Sequence, residues 1–286
     1  MSPARPAALQ RPSYIGRFFI GGSVVLLTLA YTFPMFWALS NSLKSYENLF
    51  SYPPTIFPQP LQWSNYSEAM TYQGFPFARF LLNTAQIALF SVTGTLVSST
   101  LVAYSLARIR WRGRNLLLTF IILTMIIPGE VTITPRFMLF NRWGWIDTWL
   151  PLIVPNFFGS AFYIFLIRQY MMTIPIAMDE SAIIDGANRL QTLVYVLLPQ
   201  CRVILISVVV LALQDEWNAY LEPLIFINNM QLVPASVGLS YYSGMYQTQW
   251  HLVFAASTIV SAPIILLFIL AQRYFVQGIV VTGVKG

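Results

Sequence analysis

The most distinctive polar residues of this chain are three acids that fall close together, Asp179, Glu180 and Asp185. They belong to a short polar segment that ends at Pro199 and has long hydrophobic runs on both sides. An unpaired charge is costly in an apolar solvent, so we expect this segment to lie in water. Its acids therefore predict a contact with a soluble partner, at the place where the apolar body of the protein ends.

Other polar residues interrupt the hydrophobic runs themselves. Glu130 follows Pro128 and Gly129, and an acid within such an apolar run should face the interior of the protein or water. It either lines a path through the protein or stabilises the chain at the Pro128-Gly129 break. A further cluster offers acids and an amide to sugar hydroxyl groups, and rings to sugar faces, at Asp215, Glu216, Trp217, Asn218, Tyr220 and Glu222.

Aromatic residues at the ends of membrane spans also serve as interfacial anchors, so Trp217 and Tyr220 have a second interpretation. The acids and the amide of the same cluster equally fit the wall of a polar cavity. Both interpretations stay open. The residues predicted for a translocation path are Glu130, Asn83, Asn218, Trp217 and Tyr220.

The composition identifies the solvent that surrounds most of the chain. Of its 286 residues, 57% are hydrophobic and 9% are charged, whereas a soluble domain carries about 25% charged residues. Such a chain cannot cover a surface exposed to water, so the bilayer must surround it. A single Cys201 excludes an internal disulfide and a cysteine-based metal site, and a single His251 excludes a histidine-rich metal centre. The net charge of +6 does not indicate nucleic acid, since the basic residues flank the hydrophobic runs.

Hydropathy predicts six membrane spans. Several contain proline, which membrane helices tolerate when neighbours satisfy the freed backbone groups. The run that follows Arg17 is longer than the apolar part of a signal peptide, so we expect it to remain as the first span. The predicted spans cover about residues 17–39, 80–107, 115–138, 149–170, 203–226 and 252–273.

The distribution of Lys and Arg predicts the orientation. With the N-terminus inside, 12 of the 16 basic residues lie on the inner side, and the side richer in Lys and Arg faces the cytoplasm. Both termini and the Asp179–Pro199 segment are then cytoplasmic. Residues Ser40 to Ala78 are expected to form an external strap rich in proline and aromatic residues. The basic residues on the outer side are Lys44, Arg79, Arg136 and Arg142.

Two short helices joined by a glycine are expected in the polar segment. The first helix would hold Asp179 and Glu180 in its first turn, where carboxylates interact favourably with the helix dipole. Gly186 can end that helix in the left-handed conformation. The second helix would begin at about Asn188 and stop at Pro199.

Ala182 and Gly186 are four residues apart and share a face of the first helix. Small side chains on that face would let another surface approach closely. The two helices would form a rigid knob, continuous with spans four and five, that passes movement from a soluble protein to the membrane helices. An ordinary turn with solvated acids is the alternative that periodicity leaves open.

The spacing of this segment resembles the EAA loop of the permeases of ABC importers. In that family Glu-Ala-Ala is followed by three residues, Gly, nine residues and then Ile-x-Leu-Pro. Here Glu180-Ser181-Ala182 is followed by three residues and Gly186, and nine residues later comes Val196-Leu197-Leu198-Pro199. The departures, Ser181 and Val196, are mild because both keep a similar size. The resemblance implies an ATPase-coupling role for Asp179, Glu180, Ser181, Ala182, Asp185, Gly186 and Pro199.

Other segments look like the carbohydrate-uptake permeases of the maltose-transporter type, specifically their shorter, MalG-like subunit. The resemblance extends from about residue 14 to the end of the chain. It implies an all-α integral membrane protein with six transmembrane helices and the MetI-like fold of type I ABC importer permeases. The similar segments are Leu81-Leu82-Asn83-Thr84, Trp217-Asn218-Ala219-Tyr220 with Pro223-Leu224, and Gln272 to Gly278 before Val284-Lys285-Gly286.

The chain has no Gly-x-x-x-x-Gly-Lys-Ser/Thr loop, and its lysines are Lys44 and Lys285. ATP therefore cannot bind here in that manner, and no cofactor of the chain's own is expected. The resemblance implies an ATPase dimer, a second, MalF-like permease and an external solute-binding protein as partners. Membrane lipid is expected around the chain, and nucleic acid is not.

The expected organisation has three parts in a bacterial or archaeal cytoplasmic (inner) membrane. Residues 1–76 would hold the cytoplasmic N-terminus, the first span and the external loop. Residues 77–273 would form the ABC transmembrane type-1 permease domain of five spans, with the coupling loop at about residues 171–200. Residues 274–286 would form a cytoplasmic C-terminal tail.

The leading hypothesis is a permease subunit, not an enzyme, that moves a sugar or a related polar solute by alternating access while a partner hydrolyses ATP. A secondary transporter driven by an ion gradient would need ionisable residues across the membrane midplane, for which Glu130 is the clear candidate. An integral membrane enzyme is a third class, but no Ser/His pair or set of metal ligands occurs within a predicted span.

Overall fold

The computed structural model describes residues 14–242 and 248–283, and within these ranges the regular elements are helices. In chain order the α-helices are α1 (Tyr14–Ser42), α2 (Tyr46–Leu49), α3 (Ser64–Thr71), α4 (Phe77–Arg108), α5 (Arg114–Thr124), α6 (Gly129–Arg142), α7 (Leu150–Ile153), α8 (Ala161–Thr173), α9 (Ala177–Ile184), α10 (Arg189–Gln191), α11 (Leu198–Gln200), α12 (Arg202–Asn218), α13 (Leu221–Phe226), α14 (Ala235–Gly238) and α15 (Trp250–Gly283). A π-helical stretch, Thr192–Leu197, joins α10 to α11, and a 3-10 stretch, Val154–Phe158, lies between α7 and α8.

Four helical segments of the described chain are long and apolar enough to cross a membrane, and counting each of two bent pairs as one span raises the number to six. The prediction of an all-helical membrane protein is confirmed, and the six predicted spans correspond to the higher count. Predicted spans one, two, four and six match Phe18–Ser42, Phe77–Arg108, Leu150–Thr173 and Trp250–Gln272.

Predicted span three is a broken helix rather than the continuous span expected over residues 115–138. α5 and α6 meet at an angle of 98°. The helix breaks just before Pro128, because proline disfavours helical backbone in the residue before it and has no N–H to donate. Gly129 then begins α6, which places the exposed Glu130 in the first turn of that helix, a position that favours a carboxylate.

Predicted span five is also interrupted. α12 ends at Asn218, and the chain leaves helical geometry at Ala219 before α13 begins, so the span expected over residues 203–226 is not one helix. α12 meets the preceding helical segment Arg189–Gln200 at 81°. Its 17 residues extend about 25 Å at 1.5 Å per residue, slightly less than the thickness of a hydrocarbon core.

The segment expected as an extended external strap contains helices as well, α2 and α3. Near the start of this segment is Lys44, which is buried and only 2% exposed. Its Nζ donates to Asn41 Oδ1 at 2.7 Å and to the Thr55 carbonyl at 2.5 Å, and lies 4.7 Å from the centre of the Trp37 ring. Burial lowers the pKa of Lys44. The buried lysine makes this segment a compact cap on the end of α1 rather than a loose strap.

Two clusters of buried side chains stabilise the two ends of the helical bundle. Cluster one includes Phe77, Phe80, Phe226, Tyr242 and Leu252. Cluster two includes Tyr104, Ile167, Met171, Leu197 and Val208. α4 contributes to both clusters and packs against α8 and α12, so it is the helix that connects the two ends.

The predicted domain boundaries at residues 76 and 273 stay predictions. α15 continues as a helix to Gly283, well into the expected C-terminal tail. Residues 1–13 and 284–286, which belong to the two expected tails, lie outside the described residues.

Candidate functional site

The predicted coupling loop, residues 171–200, forms two helical arms joined at Gly186. α9 ends in a Schellman turn, in which the Gly186 N–H donates to the Ile183 carbonyl at 3.0 Å and the Ala187 N–H donates to the Ala182 carbonyl at 2.9 Å. Gly186 has φ of +85°, the left-handed conformation that glycine adopts without strain. The structure therefore has the helix end that was expected at this glycine.

The second arm begins with a capping box. The Asn188 side chain accepts from the Gln191 N–H at 2.9 Å, and the Gln191 side chain accepts from the Asn188 N–H at 2.8 Å. The arm ends at Gln200, one residue beyond Pro199, which was expected to stop it. The preceding turns are π-helical from Thr192 to Leu197, and this wider winding is the local adjustment that accompanies a proline inside a helical arm.

The side chains of the motif point in two directions. Glu180, Ser181, Asp185, Gly186 and Pro199 are exposed. In contrast, Asp179 and Ala182 are each only 7% exposed, because α9 packs against the π-helical stretch of the second arm. Ala182 and Gly186 were expected to form one exposed face of small residues. In the structure Ala182 is buried against the second arm, and of the two only Gly186 is exposed.

Large apolar side chains, rather than small ones, cover the outer surface of the loop. Ile184 is 85% exposed and Tyr195 is 76% exposed. Ile183 and Leu190 are also exposed, so both arms contribute to one apolar surface. We call this set, Ile183, Ile184, Leu190 and Tyr195, the knob surface. The adjacent pair Ile183-Ile184 between two acids was the sequence signal for it.

Asp179 connects the loop to α4. Its Oδ2 lies 3.4 Å from Nη1 of Arg108, and both side chains are nearly fully buried. Nη2 of Arg108 donates to the carbonyls of Met171 and Ile174, each at 2.8 Å, at the end of α8. Burial raises the pKa of the Asp179 carboxyl, and the Arg108 guanidinium opposes that shift. Asp179 therefore has a partner inside the chain, whereas Glu180 and Asp185 face outward.

A cavity of about 520 Å³ lies at the other end of the bundle. The loop is near the end of α4 and the start of α12, whereas the cavity is lined by the beginning of α4 and the end of α12. Its walls also include the α5–α6 break, the Val154–Phe158 stretch and α13. The cavity thus occupies the site of both helix interruptions described above. Its ionisable lining residues are Glu130, Arg136, Asp215, Glu216 and Glu222.

The polar side chains of the cavity are joined by long-range contacts. Arg136 and Glu222 form a two-point ion pair between α6 and α13, at 2.5 and 3.1 Å. Asn156 donates to Glu216 Oε1 at 3.0 Å. These contacts bring together residues that are 86 and 60 positions apart in the sequence. Among the described residues, no group of three or more His, Cys, Asp or Glu side chains could hold a metal ion.

The residues predicted for a translocation path separate into two groups. Glu130 and Tyr220 line the cavity. Asn83 is buried, and its Nδ2 donates to the carbonyls of Gln231 and Val233, each at 2.9 Å, so it fastens the 229–234 segment to α4.

Trp217 and Asn218 also lie away from the cavity lining. The Trp217 Nε1–H donates to the Val260 carbonyl at 3.0 Å inside the bundle, and its role in the path stays a prediction. Asn218 is exposed, and its Nδ2 donates to the Gln214 carbonyl one turn earlier, at 2.8 Å. Helix direction explains both placements, since Trp217 and Asn218 follow Glu216 by 100° and 200° around α12.

Sequence analysis missed Arg136 and Asn156 as cavity residues. Arg136 was counted only as an outer basic residue, and no local pattern distinguished Asn156. A basic residue next to Pro135 in a long apolar run was the signal that could have identified Arg136, because such a charge requires a partner.

Comparison with known proteins agrees with this architecture. The sequence profile of the family described as "Binding-protein-dependent transport system inner membrane component" matches residues 99–281. The arabinooligosaccharides transport system permease protein AraQ of Bacillus subtilis is 28% identical, over 92% of this chain and 93% of that protein. The sn-glycerol-3-phosphate transport system permease protein UgpE of Pectobacterium atrosepticum is 32% identical, over 88% of this chain and 92% of that protein.

A solved structure shares the fold. It is a bacterial ABC transporter involved in the import of the acidic polysaccharide alginate, with a TM-score of 0.79 and 24% identity over 92% of this chain and 98% of that chain. The family match covers well over half of the sequence. The chain therefore belongs to the family of inner membrane components of binding-protein-dependent transport systems, the MetI-like permeases of ABC transporters.

Proposed function

We propose that this chain is one permease subunit of an ATP-driven importer, and that it moves an uncharged carbohydrate or a related polar solute across the membrane. The observation that carries the proposal is the 171–200 loop. It is a hydrogen-bonded knob between two membrane-spanning segments, and it exposes apolar side chains that no part of the described chain covers.

The knob surface suits a cleft on a separate ATPase. Exposed Ile184 and Tyr195 supply apolar area, and Glu180 and Asp185 at its edge supply charge for orientation. Binding of ATP would close an ATPase dimer, move the knobs of two permeases together and open the cavity outward. Hydrolysis would reverse the movement. The chain itself needs no catalytic group for this cycle.

The proposed orientation places the loop and both termini in the cytoplasm, on the basis of the Lys and Arg distribution. The cavity then opens toward the outer side, where a solute-binding protein would deliver its cargo. The name of the family supports such a binding protein as a partner, and a second, MalF-like permease and an ATPase dimer complete the proposed assembly.

The charge of the cavity bears on the class of solute. Its lining contains four acids and a single basic residue, Arg136, which is already paired with Glu222. An excess of carboxylates repels an anion, particularly where water is partly excluded. We therefore propose an uncharged solute, like the arabinooligosaccharides named for AraQ, rather than an anion like the glycerol 3-phosphate named for UgpE.

The first experiment is recovery of the tagged chain from detergent-solubilised native membranes, followed by assay of the recovered complex for ATP hydrolysis. We expect an ATPase and a second permease in the complex. Ile184→Glu should reduce the recovered ATPase, because it places a charge in the knob surface. Ile56→Glu is the matched control, since Ile56 is also exposed but lies in the external segment.

Recovery of the chain without an ATPase would overturn the importer proposal and favour a transporter driven by an ion gradient. Equal loss of ATPase in the two glutamate variants would show that the ATPase does not dock on the loop. The solute class is tested separately, by competition for uptake between a neutral arabinooligosaccharide and glycerol 3-phosphate. Stronger competition by the anion would contradict the proposed uncharged solute.

A further inference from the structure

The loop is attached to the membrane-spanning helices at more places than its two covalent ends. α8 enters it and α12 leaves it, but the side chain of Arg108, on a third helix, also contacts it. Arg108 reaches the α8 end through two carbonyls and reaches α9 through Asp179. One buried guanidinium thus joins α4, α8 and the first arm of the loop.

One turn earlier on the same face of α4, Tyr104 contacts the second arm. Its hydroxyl donates to the Arg189 carbonyl at 3.0 Å, and the ring is buried. Residues four apart in a helix lie one above the other. Tyr104 and Arg108 therefore attach both arms of the loop to a single helix that is not continuous with either arm.

Near its middle, α4 is attached to the cavity wall. Ser91 donates to the Leu152 carbonyl and Ser98 to the Asn156 carbonyl, each at 3.1 Å. The contact is also close, since a Cβ added at Gly94 would lie 2.6 Å from Cδ2 of Phe157. Asn156 in turn donates to the cavity residue Glu216.

These contacts form an unbroken series from the loop to the cavity. α4 is one helix of 32 residues, about 48 Å long at 1.5 Å per residue. A helix that is fixed to its neighbours at one end and again near its middle moves together with both of them. Thr84 and Ile87 of α4 line the cavity directly, so movement of α4 changes the cavity wall itself.

We propose that Arg108 is a positioning residue for energy coupling: it makes α4 move with the 171–200 loop, and α4 carries that movement to the cavity wall at Asn156. This inference rests on the proposed function, since it assumes that an ATPase moves the loop. Without Arg108, the loop would pull on α8 and α12, and on α4 through the single hydrogen bond of Tyr104. The break at Cys201 between the second arm and α12 would absorb part of the movement.

The test measures transmission from nucleotide to cavity and needs no knowledge of the solute. The chain's single cysteine is first removed by Cys201→Ala. A new cysteine is then placed in the cavity lining by Ile133→Cys, and the variant chain is studied in its complete complex. Labelling by a membrane-impermeant maleimide is compared with and without magnesium AMP-PNP. We expect nucleotide to change the labelling rate by about tenfold, within the usual range of coupling between distant sites.

Two substitutions then weaken the Arg108 connection. Arg108→Lys keeps the cation but loses the fork that contacts several acceptors, and Asp179→Asn removes the charge at nearly the same shape. Both should clearly reduce the nucleotide effect on labelling while the ATPase is still recovered with the chain, because Tyr104 is then the contact that remains between α4 and the loop. Arg112→Gln is the matched control, because this exposed arginine lies at the same end of α4 without a hydrogen bond or ion pair to the described residues.

A nucleotide effect as large as that of the parent in both variants would overturn the role of Arg108. No nucleotide effect in the parent would instead contradict the proposed ATP-driven cycle, so the two failures are distinguishable. If neither variant assembles, the native contact is measured directly with spin labels at Val97→Cys and Ala177→Cys, both exposed positions. An unchanged distance between the labels with and without AMP-PNP supports joint movement of α4 and the loop, and a changed distance overturns it.

Discussion

The 171–200 loop and the cavity at the opposite end of the bundle are built in different ways. The turn of the loop is closed by hydrogen bonds between residues three to five positions apart, such as Ala187 to Ala182. The cavity is closed by contacts between distant segments, such as Arg136 to Glu222. Neighbouring residues in the sequence are therefore enough to fix the shape of the loop, whereas the shape of the cavity depends on the packing of the whole bundle.

The physical reason lies in the solvent around each region. The loop protrudes, so its polar backbone must be satisfied by its own turn and capping groups. The cavity lies where α5–α6 and α12–α13 are interrupted, and the freed backbone and charged groups there find partners on other segments. Substitutions at matched positions in the two regions test whether the loop and the cavity differ in this way.

The largest effect is expected from Gly186→Val. A β-branched residue at φ of +85° costs about 1–2 kcal/mol locally, and it would also reorient the two arms. Loss of a docking contact of about 3 kcal/mol corresponds to about a 100-fold fall in uptake and in recovered ATPase. Measurement of ATPase recovery and uptake in membranes checks this expectation.

Gly144→Val provides the matched control for that change. Gly144 also has a positive φ, +67°, and a Cβ at either glycine would have no neighbouring atom within 4 Å. It follows α6 near the cavity end, so the same backbone strain should leave ATPase recovery unchanged. Equal effects of the two valines would show that strain alone, and not docking, explains the loss.

A smaller effect, on stability rather than coupling, is expected from Asn83→Ala. The buried Val233 carbonyl loses this donor, whereas the Gln231 carbonyl keeps its bond from Arg79 Nε. The cost is about 1–3 kcal/mol, which should lower the unfolding temperature of the purified chain in detergent. Asn218→Ala, another residue predicted for the path, removes only a bond within its own helix and should change stability by less than about 0.5 kcal/mol. A change in solute preference with Asn83→Ala would instead support the predicted place of this residue in the translocation path.

Arg136→Gln should weaken the cavity end more mildly. Its side chain and that of Glu222 are 26% and 40% exposed, so solvent screens the pair and its net contribution is about 1 kcal/mol. Uptake should fall about fivefold. The exchanged pair Arg136→Glu with Glu222→Arg should recover most of the uptake. If it does not, the two side chains support uptake by some means other than their ion pair.

The smallest effect is expected from Trp217→Phe, which removes one hydrogen bond to the Val260 carbonyl inside α15. The loss should be about 0.5–1 kcal/mol in the free energy of unfolding, without a change in solute preference. A stacking role for Trp217 would instead appear as a change in uptake of one sugar relative to another.

Sequence reasoning predicted the loop better than the cavity. The left-handed Gly186, the first-turn position of Asp179 and Glu180 and the second helix near Asn188 follow from local rules, and the structure has them all. The inward direction of Ala182 and the burial of Asp179 were missed, because they depend on α4 and on the second arm. For the same reason Asn83 and Trp217 were predicted for the path, although their partners are carbonyls far away in the sequence.

The surrounding bilayer, the positions of the helices and the loop motif all follow from the amino-acid sequence. Apolar composition required a bilayer, hydropathy located the spans, and the spacing from Glu180 to Pro199 identified the family that the comparisons confirm. Tertiary structure alone decided where the chain breaks become a cavity, which acids line it and that Arg108 reaches the loop. These features depend on pairs of residues tens of positions apart, and the energy of a charge buried in an apolar protein depends on the partner that folding brings to it.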